Sequence, residues 1–170
     1  VVGIGHSDCA AAALQAALDA GATCGTHLFN AMSQMTGREP GVGGGLLNTG
    51  AYTGLICDGY HVADEMIRLA LRAHRYPERI FLVSDAMATV GGPDRFTLYG
   101  REIVLQDGRL VDAEGRLAGA HLTQAAGLAR MEQVIGLGLE QALRMVIATP
   151  AEVIGRPDLT SLTGRPARDA

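Results

Sequence analysis

The sequence is poor in cysteine, has no excess of positive charge and contains no long apolar run. Its three cysteines are an odd number without CxxC spacing, which favours buried free thiols in a reducing compartment over a disulfide framework. A net charge of −4 without a basic stripe argues against a nucleic-acid partner. There is no run of about 18 apolar residues and no signal-peptide pattern, so the sequence predicts no membrane partner and a cytoplasmic location.

The chain has the size of one domain. Its 170 residues, 48% of them hydrophobic, are enough to form a core. It opens inside an apolar run and closes in loop-like sequence over residues 162–170. We therefore expect both ends to be cuts in a longer protein, with natural but ragged ends as the alternative.

Four short apolar runs each lead to a histidine or an aspartate. The predicted strands are residues 1–4, 22–29, 51–57 and 79–83. The polar residues at their ends are His6, His27, Asp58 and Asp85. Residues 9–20, with Ser7 or Asp8 as cap, and residues 64–74 are predicted helices. Because the polar residues are about 20 to 30 residues apart, the pitch of strand–helix units, the strands are predicted to be parallel.

Functional groups at the carboxyl ends of parallel strands are typical of a (β/α)8 TIM barrel. An open doubly wound sheet also binds ligands there, but its glycine-rich phosphate turn is replaced here by Gly5-His6-Ser7. We therefore expect an α/β fold that is a partial (β/α)8 barrel. Four strands cannot close a barrel, and open sheet edges favour aggregation, which supports a longer parent chain.

The segments outside these strand–helix units have a different character. The glycine-rich residues 31–50 are predicted to form a functional loop followed by a short helix near residues 44–48. Alternating runs and two Xaa-Gly turns predict a small antiparallel β lobe over residues 96–111. Residues 123–135 and 139–148 are predicted C-terminal helices, and Thr149 is the predicted N-cap of a last short helix.

Seven short motifs, in this order, make the sequence resemble one family. They are Gly5-His6-Ser7, Thr26-His27-Leu28-Phe29-Asn30-Ala31-Met32, Gly37-Arg38-Glu39-Pro40-Gly41, Asp58-Gly59-Tyr60-His61-Val62, Ser84-Asp85-Ala86, Leu117-Ala118-Gly119 and Thr149-Pro150-Ala151. Together they resemble the N-acetylglucosamine-6-phosphate deacetylases of the amidohydrolase superfamily. The resemblance implies a metal-dependent hydrolase with a TIM barrel and a small β-sandwich. It also implies that this chain is the C-terminal half, from the fifth barrel strand to the eighth and beyond.

The resemblance assigns His6 and His27 as ligands of a divalent metal, zinc or iron, with one or two ions bound. It also implies a glutamate ligand that is missing from this chain. Neighbouring strand ends lie about 4.8 Å apart, so two imidazoles there can share an ion. The alternative is that each histidine caps its strand through a backbone carbonyl.

Asp85 resembles the family's catalytic carboxylate. A carboxylate beside a metal-activated water can accept its proton and pass it to the departing amine. The alternative is an Asx-type cap on a helix that would begin at Ala86.

Other motif residues resemble contacts to a small-molecule sugar phosphate. Arg38 resembles a phosphate ligand that reaches across a dimer interface, which implies a homodimer. A solvated loop arginine paired with Glu39 is the alternative. Asn30 and Ala31 resemble further contacts on the phosphate side.

The sugar side of the expected site has three parts. His61 resembles a sugar contact, with a strand-end histidine that binds no ligand as the alternative. Asp58 is assigned to the substrate site, or it orients the turn to His61. The backbone of Leu117, Ala118 and Gly119 resembles the family's loop near the ligand.

The main functional hypothesis is deacetylation of N-acetylglucosamine 6-phosphate to glucosamine 6-phosphate and acetate. The alternatives are an amidohydrolase acting on another N-acyl or cyclic amide, and a non-catalytic fragment that only binds a sugar phosphate. The expected divisions of the chain are a half barrel (residues 1–90), a β-hairpin insert (91–121), closing helices (122–155) and a tail toward a missing β-sandwich (156–170).

Overall fold

The computed structural model describes residues 1–161, which form a mixed α/β fold with two sheets. The first sheet has four parallel strands in sequence order: β1 (Gly3–Ile4), β2 (Cys24–Gly25), β3 (Tyr52–Leu55) and β4 (Ile80–Leu82). The second sheet is antiparallel: β5 (Arg95–Leu98), β6 (Arg101–Gln106) and β7 (Arg109–Val111). The predictions of parallel strands and of an antiparallel β lobe are confirmed, although β2 is much shorter than the predicted residues 22–29.

Six α-helices accompany the sheets within residues 1–161. They are α1 (Ala11–Asp19), α2 (Gly41–Thr49), α3 (Asp64–Ala73), α4 (Gln124–Arg130), α5 (Leu139–Val146) and α6 (Ala148–Val153). The chain after α4 continues as a π-helical turn, Met131–Ile135, and two 3-10 turns lie at Pro77–Arg79 and Pro157–Thr160. None of these helices is long and apolar enough to cross a membrane. The proposed tail, residues 156–170, lies partly outside the described residues.

The parallel sheet and its helices share one hydrophobic core. Leu14 of α1, Leu46 of α2 and Ile67 of α3 are fully buried and belong to one cluster with Leu55 and Leu82 from the strands. The paired strands are in close register, with Gly25 opposite Thr53 and Thr53 opposite Ile80. Residues that follow the strands therefore come to the same edge of the sheet.

The predicted glycine-rich loop ends at Pro40, earlier than expected, because α2 runs from Gly41 to Thr49 and includes the short helix predicted near residues 44–48. Glycine is a poor helix former, and tertiary packing overrides that preference here. A Cβ at Gly45 would collide with the side chain of Leu14, and one at Gly25 with Leu46. The missing side chains let α2 approach α1 and β2 closely.

We expect Gly45→Ala to lower the free energy of unfolding by about 1–3 kcal/mol, because the added Cβ would overlap the side chain of the fully buried Leu14. Gly127→Ala is the matched control. Its Cβ would lie 3.7 Å from Leu122 and Leu82, an ordinary contact, so it should raise stability by about 0.5–1 kcal/mol. Chemical denaturation measures both. Equal effects of the two variants would contradict the packing role of Gly45.

The helix caps differ from the sequence prediction. Neither Ser7 nor Asp8 caps α1. One carboxylate oxygen of Glu39, Oε1, instead accepts the backbone N–H of Ala11 at 2.8 Å and of Gly41 at 2.9 Å. These two hydrogen bonds lower the pKa of Glu39. The loop before α2 is thereby tied to the start of α1.

Thr149 is not the N-cap that the sequence predicts. Helix α6 begins one residue earlier, at Ala148, and Thr149 is buried within it. Its hydroxyl donates a hydrogen bond to the carbonyl oxygen of Glu78 at 3.0 Å. The side chain therefore ties α6 to the turn before β4.

The three cysteines are free, as the sequence predicts. Cys24 and Cys57 are buried, whereas Cys9 is half-buried. Burial raises the pKa of Cys57 to about 11, which leaves it protonated and unreactive near neutral pH. The cysteines therefore pack as small apolar side chains.

Candidate active site

Two histidines meet at the carboxyl ends of neighbouring strands. His6 comes two residues after β1 and His27 two residues after β2, and the two strands are paired. Their ring centroids are 4.9 Å apart with the planes inclined at 66°. The pairing of β1 with β2 thus joins two side chains that are far apart in the sequence.

The ring of His27 is buried and has a free nitrogen. The residue is 7% exposed, and no residue of the described chain, 1–161, hydrogen-bonds its Nδ1. A buried polar atom without a partner costs about 1–3 kcal/mol, so such an atom calls for a ligand. Within residues 1–161 neither histidine ring bonds a backbone carbonyl, so the strand-cap alternative is not what the structure shows.

The backbone is strained at both histidines and at Asp85, the candidate catalytic carboxylate. His6, His27 and Asp85 have positive φ angles of 46°, 29° and 49°, in the left-handed region that residues with a Cβ seldom adopt. Such conformations cost on the order of 1–3 kcal/mol each and cluster at functional sites. Two of the next residues in the His27 turn, Phe29 and Ala31, share this conformation at 74° and 47°.

The histidine pair fits part of a metal site. Imidazole nitrogen is a common ligand of transition metals, and the unpartnered Nδ1 of buried His27 shows that the ring has binding capacity to spare. No group of three or more histidine, cysteine or acidic residues is close enough to hold an ion within the described chain. Residues 1–161 therefore offer two candidate ligands and not a complete set.

Asp85 lies on the same sheet edge, three residues after β4. Strand β4 is two strands from β2, which corresponds to about 10 Å across the sheet. The side chain is exposed and makes no hydrogen bond or ion pair with any residue in 1–161. No helix begins at Ala86, so the helix-cap alternative is wrong.

The end of the 117–120 segment, at Gly119 and Ala120, runs against the backbone of Asp85. Ala120 N–H donates to the Asp85 carbonyl at 2.8 Å, and Met87 N–H donates to the Ala120 carbonyl at 3.1 Å. Gly119 has a φ of 73°, and a Cβ there would lie 3.2 Å from the Asp85 carbonyl oxygen. The structure therefore brings Gly119 and Ala120 beside the Asp85 backbone, whereas Leu117 and Ala118 pair with Val111 and Leu110 of β7.

The expected phosphate side is more open. The Asn30 amide folds back on its own turn and donates to the carbonyls of His27 at 3.3 Å and Leu28 at 3.2 Å. Ala31 and Arg38 are exposed. The alternative pairing of Arg38 with Glu39 is wrong, because the Glu39 carboxylate binds backbone N–H groups instead.

Asp58 and His61 form a tight pair after β3. Asp58 Oδ2 lies 2.6 Å from His61 Nδ1, while Oδ1 accepts the backbone N–H groups of Tyr60 at 2.8 Å and His61 at 2.9 Å. Burial raises the pKa of Asp58, but the hydrogen bonds from the His61 ring and the two N–H groups outweigh it, so the net pKa is lowered. The carboxylate is therefore charged and orients the ring.

Residues that the sequence did not single out support this turn. Arg130 of α4 donates to Asp64 at 2.7 and 3.0 Å, and its guanidinium carbon would lie 2.7 Å from a Cβ at Gly59. The Tyr60 hydroxyl donates to the Asp107 carbonyl at 2.9 Å, in the turn between β6 and β7. Arg130 and Asp107 are distant from this turn in the sequence, so the motif itself does not reveal them. Its one sequence signal is Gly59, which leaves room for the Arg130 side chain.

Comparison with known proteins finds similar chains but no matching family model. An N-acetylglucosamine-6-phosphate deacetylase of Haemophilus influenzae is 35% identical over 162 residues, covering 93% of this chain and 42% of the relative. An Escherichia coli K12 protein named "Putative N-acetylgalactosamine-6-phosphate deacetylase" is 37% identical over 131 residues, covering 76% of this chain and 77% of the relative. The crystal structure of the Pasteurella multocida N-acetylglucosamine-6-phosphate deacetylase matches 95% of this chain and 43% of that one, with a TM-score of 0.91 and 36% identity.

These similarities place the chain in the class of metal-dependent amidohydrolases. Within that class, the chain belongs to the family of N-acetylhexosamine-6-phosphate deacetylases. The resemblance seen in the sequence motifs is therefore confirmed. The chain spans less than half the length of the Haemophilus relative and of the Pasteurella structure.

Proposed function

We propose that the protein carrying this chain hydrolyses N-acetylglucosamine 6-phosphate to glucosamine 6-phosphate and acetate. The observation that carries the proposal is the His6–His27 pair at adjacent strand ends. Its rings are 4.9 Å apart, and the Nδ1 of His27 has no partner within residues 1–161. The names of the Haemophilus and Pasteurella relatives supply the substrate. The reaction breaks the amide C–N bond and joins the water oxygen to the acetyl carbon.

In this proposal His6 and His27 hold a divalent metal, zinc or iron, as one or two ions, together with the family's glutamate ligand. When bound, such a metal polarises the amide carbonyl and acidifies a water molecule. Asp85, whose carboxylate has no partner within residues 1–161, accepts a proton from the attacking water. The same carboxyl then returns that proton to the departing amine nitrogen.

The substrate contacts in this proposal come from four segments. Arg38 binds the phosphate in a neighbouring subunit of a homodimer, and its side chain, exposed and unpaired within residues 1–161, supports this role. Asn30 and Ala31 lie on the phosphate side. His61, held by Asp58, contacts the sugar, and the backbone of residues 117–119 borders the reacting end.

The parallel sheet is proposed to be strands five to eight of a (β/α)8 barrel in the cytoplasm. Residues 1–90 are the half barrel, 91–121 the β insert and 122–155 the closing helices. Residues 156–170 are the tail toward a β-sandwich. The four parallel strands in sequence order, each followed by polar site residues, support this division.

Acetate release by the full-length protein tests the function. N-acetylglucosamine 6-phosphate, N-acetylgalactosamine 6-phosphate and unphosphorylated N-acetylglucosamine are compared as substrates. We expect the first to have the highest kcat/KM. A preference for N-acetylgalactosamine 6-phosphate would make that compound the substrate. Equal use of the unphosphorylated sugar would favour an amidohydrolase that acts on another N-acyl or cyclic amide. No release from any of the three would favour a binding protein.

Arg38→Ala is expected to lower kcat/KM for the phosphorylated sugar by about 10- to 100-fold, since a charge-assisted hydrogen bond contributes about 1.5–3 kcal/mol. The loss should fall mainly on KM, and turnover of the unphosphorylated sugar should be unchanged. Arg72→Ala, an exposed arginine of α3, is the control. Equal losses on both sugars would argue against a phosphate contact.

A further inference from the structure

Both carboxylate oxygens of Asp58 have partners within residues 1–161. Oδ1 takes two backbone N–H groups, from Tyr60 and His61, and Oδ2 faces His61 Nδ1 at 2.6 Å. The two side chains are only 8% and 7% exposed. The geometry therefore joins a carboxylate to one specific ring nitrogen.

The charge on Asp58 decides whether its Oδ2 or the Nδ1 of His61 carries the hydrogen of their hydrogen bond. Its lowered pKa keeps it ionised at neutral pH, and an ionised carboxylate only accepts hydrogen bonds. His61 Nδ1 must then donate. The hydrogen bond at one ring nitrogen sets the state of the other, so a neutral ring has a lone pair on Nε2.

We propose that Asp58 is a positioning residue that holds the His61 hydrogen on Nδ1, so that Nε2 meets the substrate as a hydrogen-bond acceptor. Nε2 makes no hydrogen bond with any residue in 1–161, so it is available. Nε2 accepts a hydrogen bond from a donor group of the substrate. In an acetylated amino sugar that donor is a hydroxyl or the amide N–H. This substrate assignment rests on the proposed function, whereas the placement of the hydrogen rests on the Asp58 contacts alone.

The turn that carries the pair is held independently of the His61 ring. Tyr60 is bonded to the Asp107 carbonyl, and Gly59, at a φ of 83°, packs under Arg130. The two backbone bonds to Asp58 Oδ1 would be kept by an asparagine oxygen. The amide nitrogen of that asparagine would then face His61 Nδ1.

Asp58→Asn is therefore expected to fold and to switch His61 to its other tautomer. An amide N–H donating to Nδ1 makes that atom an acceptor and moves the ring hydrogen to Nε2. Nitrogen-15 NMR of the full-length protein, at a pH above the titration of the ring in the same sample, distinguishes the two tautomers. We expect the Nδ1–H form in the natural protein and the Nε2–H form in the variant.

Activity provides the second measurement. The variant should lose about 10²-fold in kcat/KM, because a donor replaces the acceptor that meets the substrate. Asp94→Asn, which removes an exposed carboxylate just before β5, should leave the tautomer unchanged. An Nε2–H ring in the natural protein, or no change in Asp58→Asn, would overturn the positioning role even if acetate release is observed. A tautomer change without activity in the natural protein would overturn only the proposed function.

Discussion

Asp85→Asn is expected to lower kcat for acetate release by about 10²- to 10⁴-fold, with little change in KM. The amide of asparagine does not accept a proton from water near neutral pH, so both proton transfers assigned to Asp85 are lost. The side chain is exposed and has no partner within residues 1–161, so the fold should not depend on it. Steady-state kinetics and thermal unfolding of the full-length protein measure the two properties separately.

The control for Asp85→Asn is Asp94→Asn, which removes the same charge from an exposed aspartate just before β5. Its kinetics should match those of the unsubstituted protein. Full turnover by Asp85→Asn would remove Asp85 from the proposed mechanism. A loss of activity that parallels a loss of melting temperature would point to a structural effect.

His27→Asn is expected to abolish stoichiometric metal binding. Asparagine tolerates the left-handed backbone at this position but lacks the imidazole, so the turn can persist while a ligand is lost. Metal at 100 times its dissociation constant stabilises a folded protein by about 2.7 kcal/mol. We expect added zinc to raise the melting temperature of the metal-stripped natural protein and to leave that of the variant unchanged.

Metal analysis by mass spectrometry gives the stoichiometry for the same samples. His121→Asn is the matched control, because its ring bonds Thr89 at 2.9 Å and lies outside the histidine pair. That variant should keep both the metal and the melting shift. Retention of natural metal content by His27→Asn would contradict the ligand assignment.

Another histidine shows why a residue type alone does not define a site. His74 is buried like His27, but its Nδ1 accepts the Tyr76 N–H at 3.0 Å, and its Nε2 lies 3.1 Å from the Ala51 carbonyl and 3.2 Å from Thr53. Burial lowers its pKa. A neutral ring satisfied on both sides is structural, whereas the Nδ1 of His27 has no hydrogen-bond partner within residues 1–161.

Much of the arrangement could be predicted from the sequence. Apolar runs ending in His6, His27, Asp58 and Asp85 predicted parallel strands, since their spacing excludes hairpins. The ordered motifs predicted the family. These features are local in the chain, and periodicity, strand ends and short motifs can therefore be read directly from neighbouring residues.

The rest depended on residues that are distant in the sequence. Helix α2 forms despite its glycines because it packs closely on its neighbours: Leu14 of α1 occupies the space that a Cβ at Gly45 would fill. Glu39 replaces Ser7 or Asp8 as the cap of α1 because the loop brings its carboxylate to that helix end. Burial and close approach override local propensity in both cases.

The sequence by itself determined the order of the strands, the positions of the polar residues at their ends and the family. Only the tertiary structure decided which of those residues have spare binding capacity. It left His27 Nδ1 and the Asp85 carboxylate without partners in residues 1–161, and it directed the Asp58 carboxylate to His61. The reason is physical, because the state of a polar atom depends on its neighbours in space, and those neighbours come from strands and helices far apart in the chain.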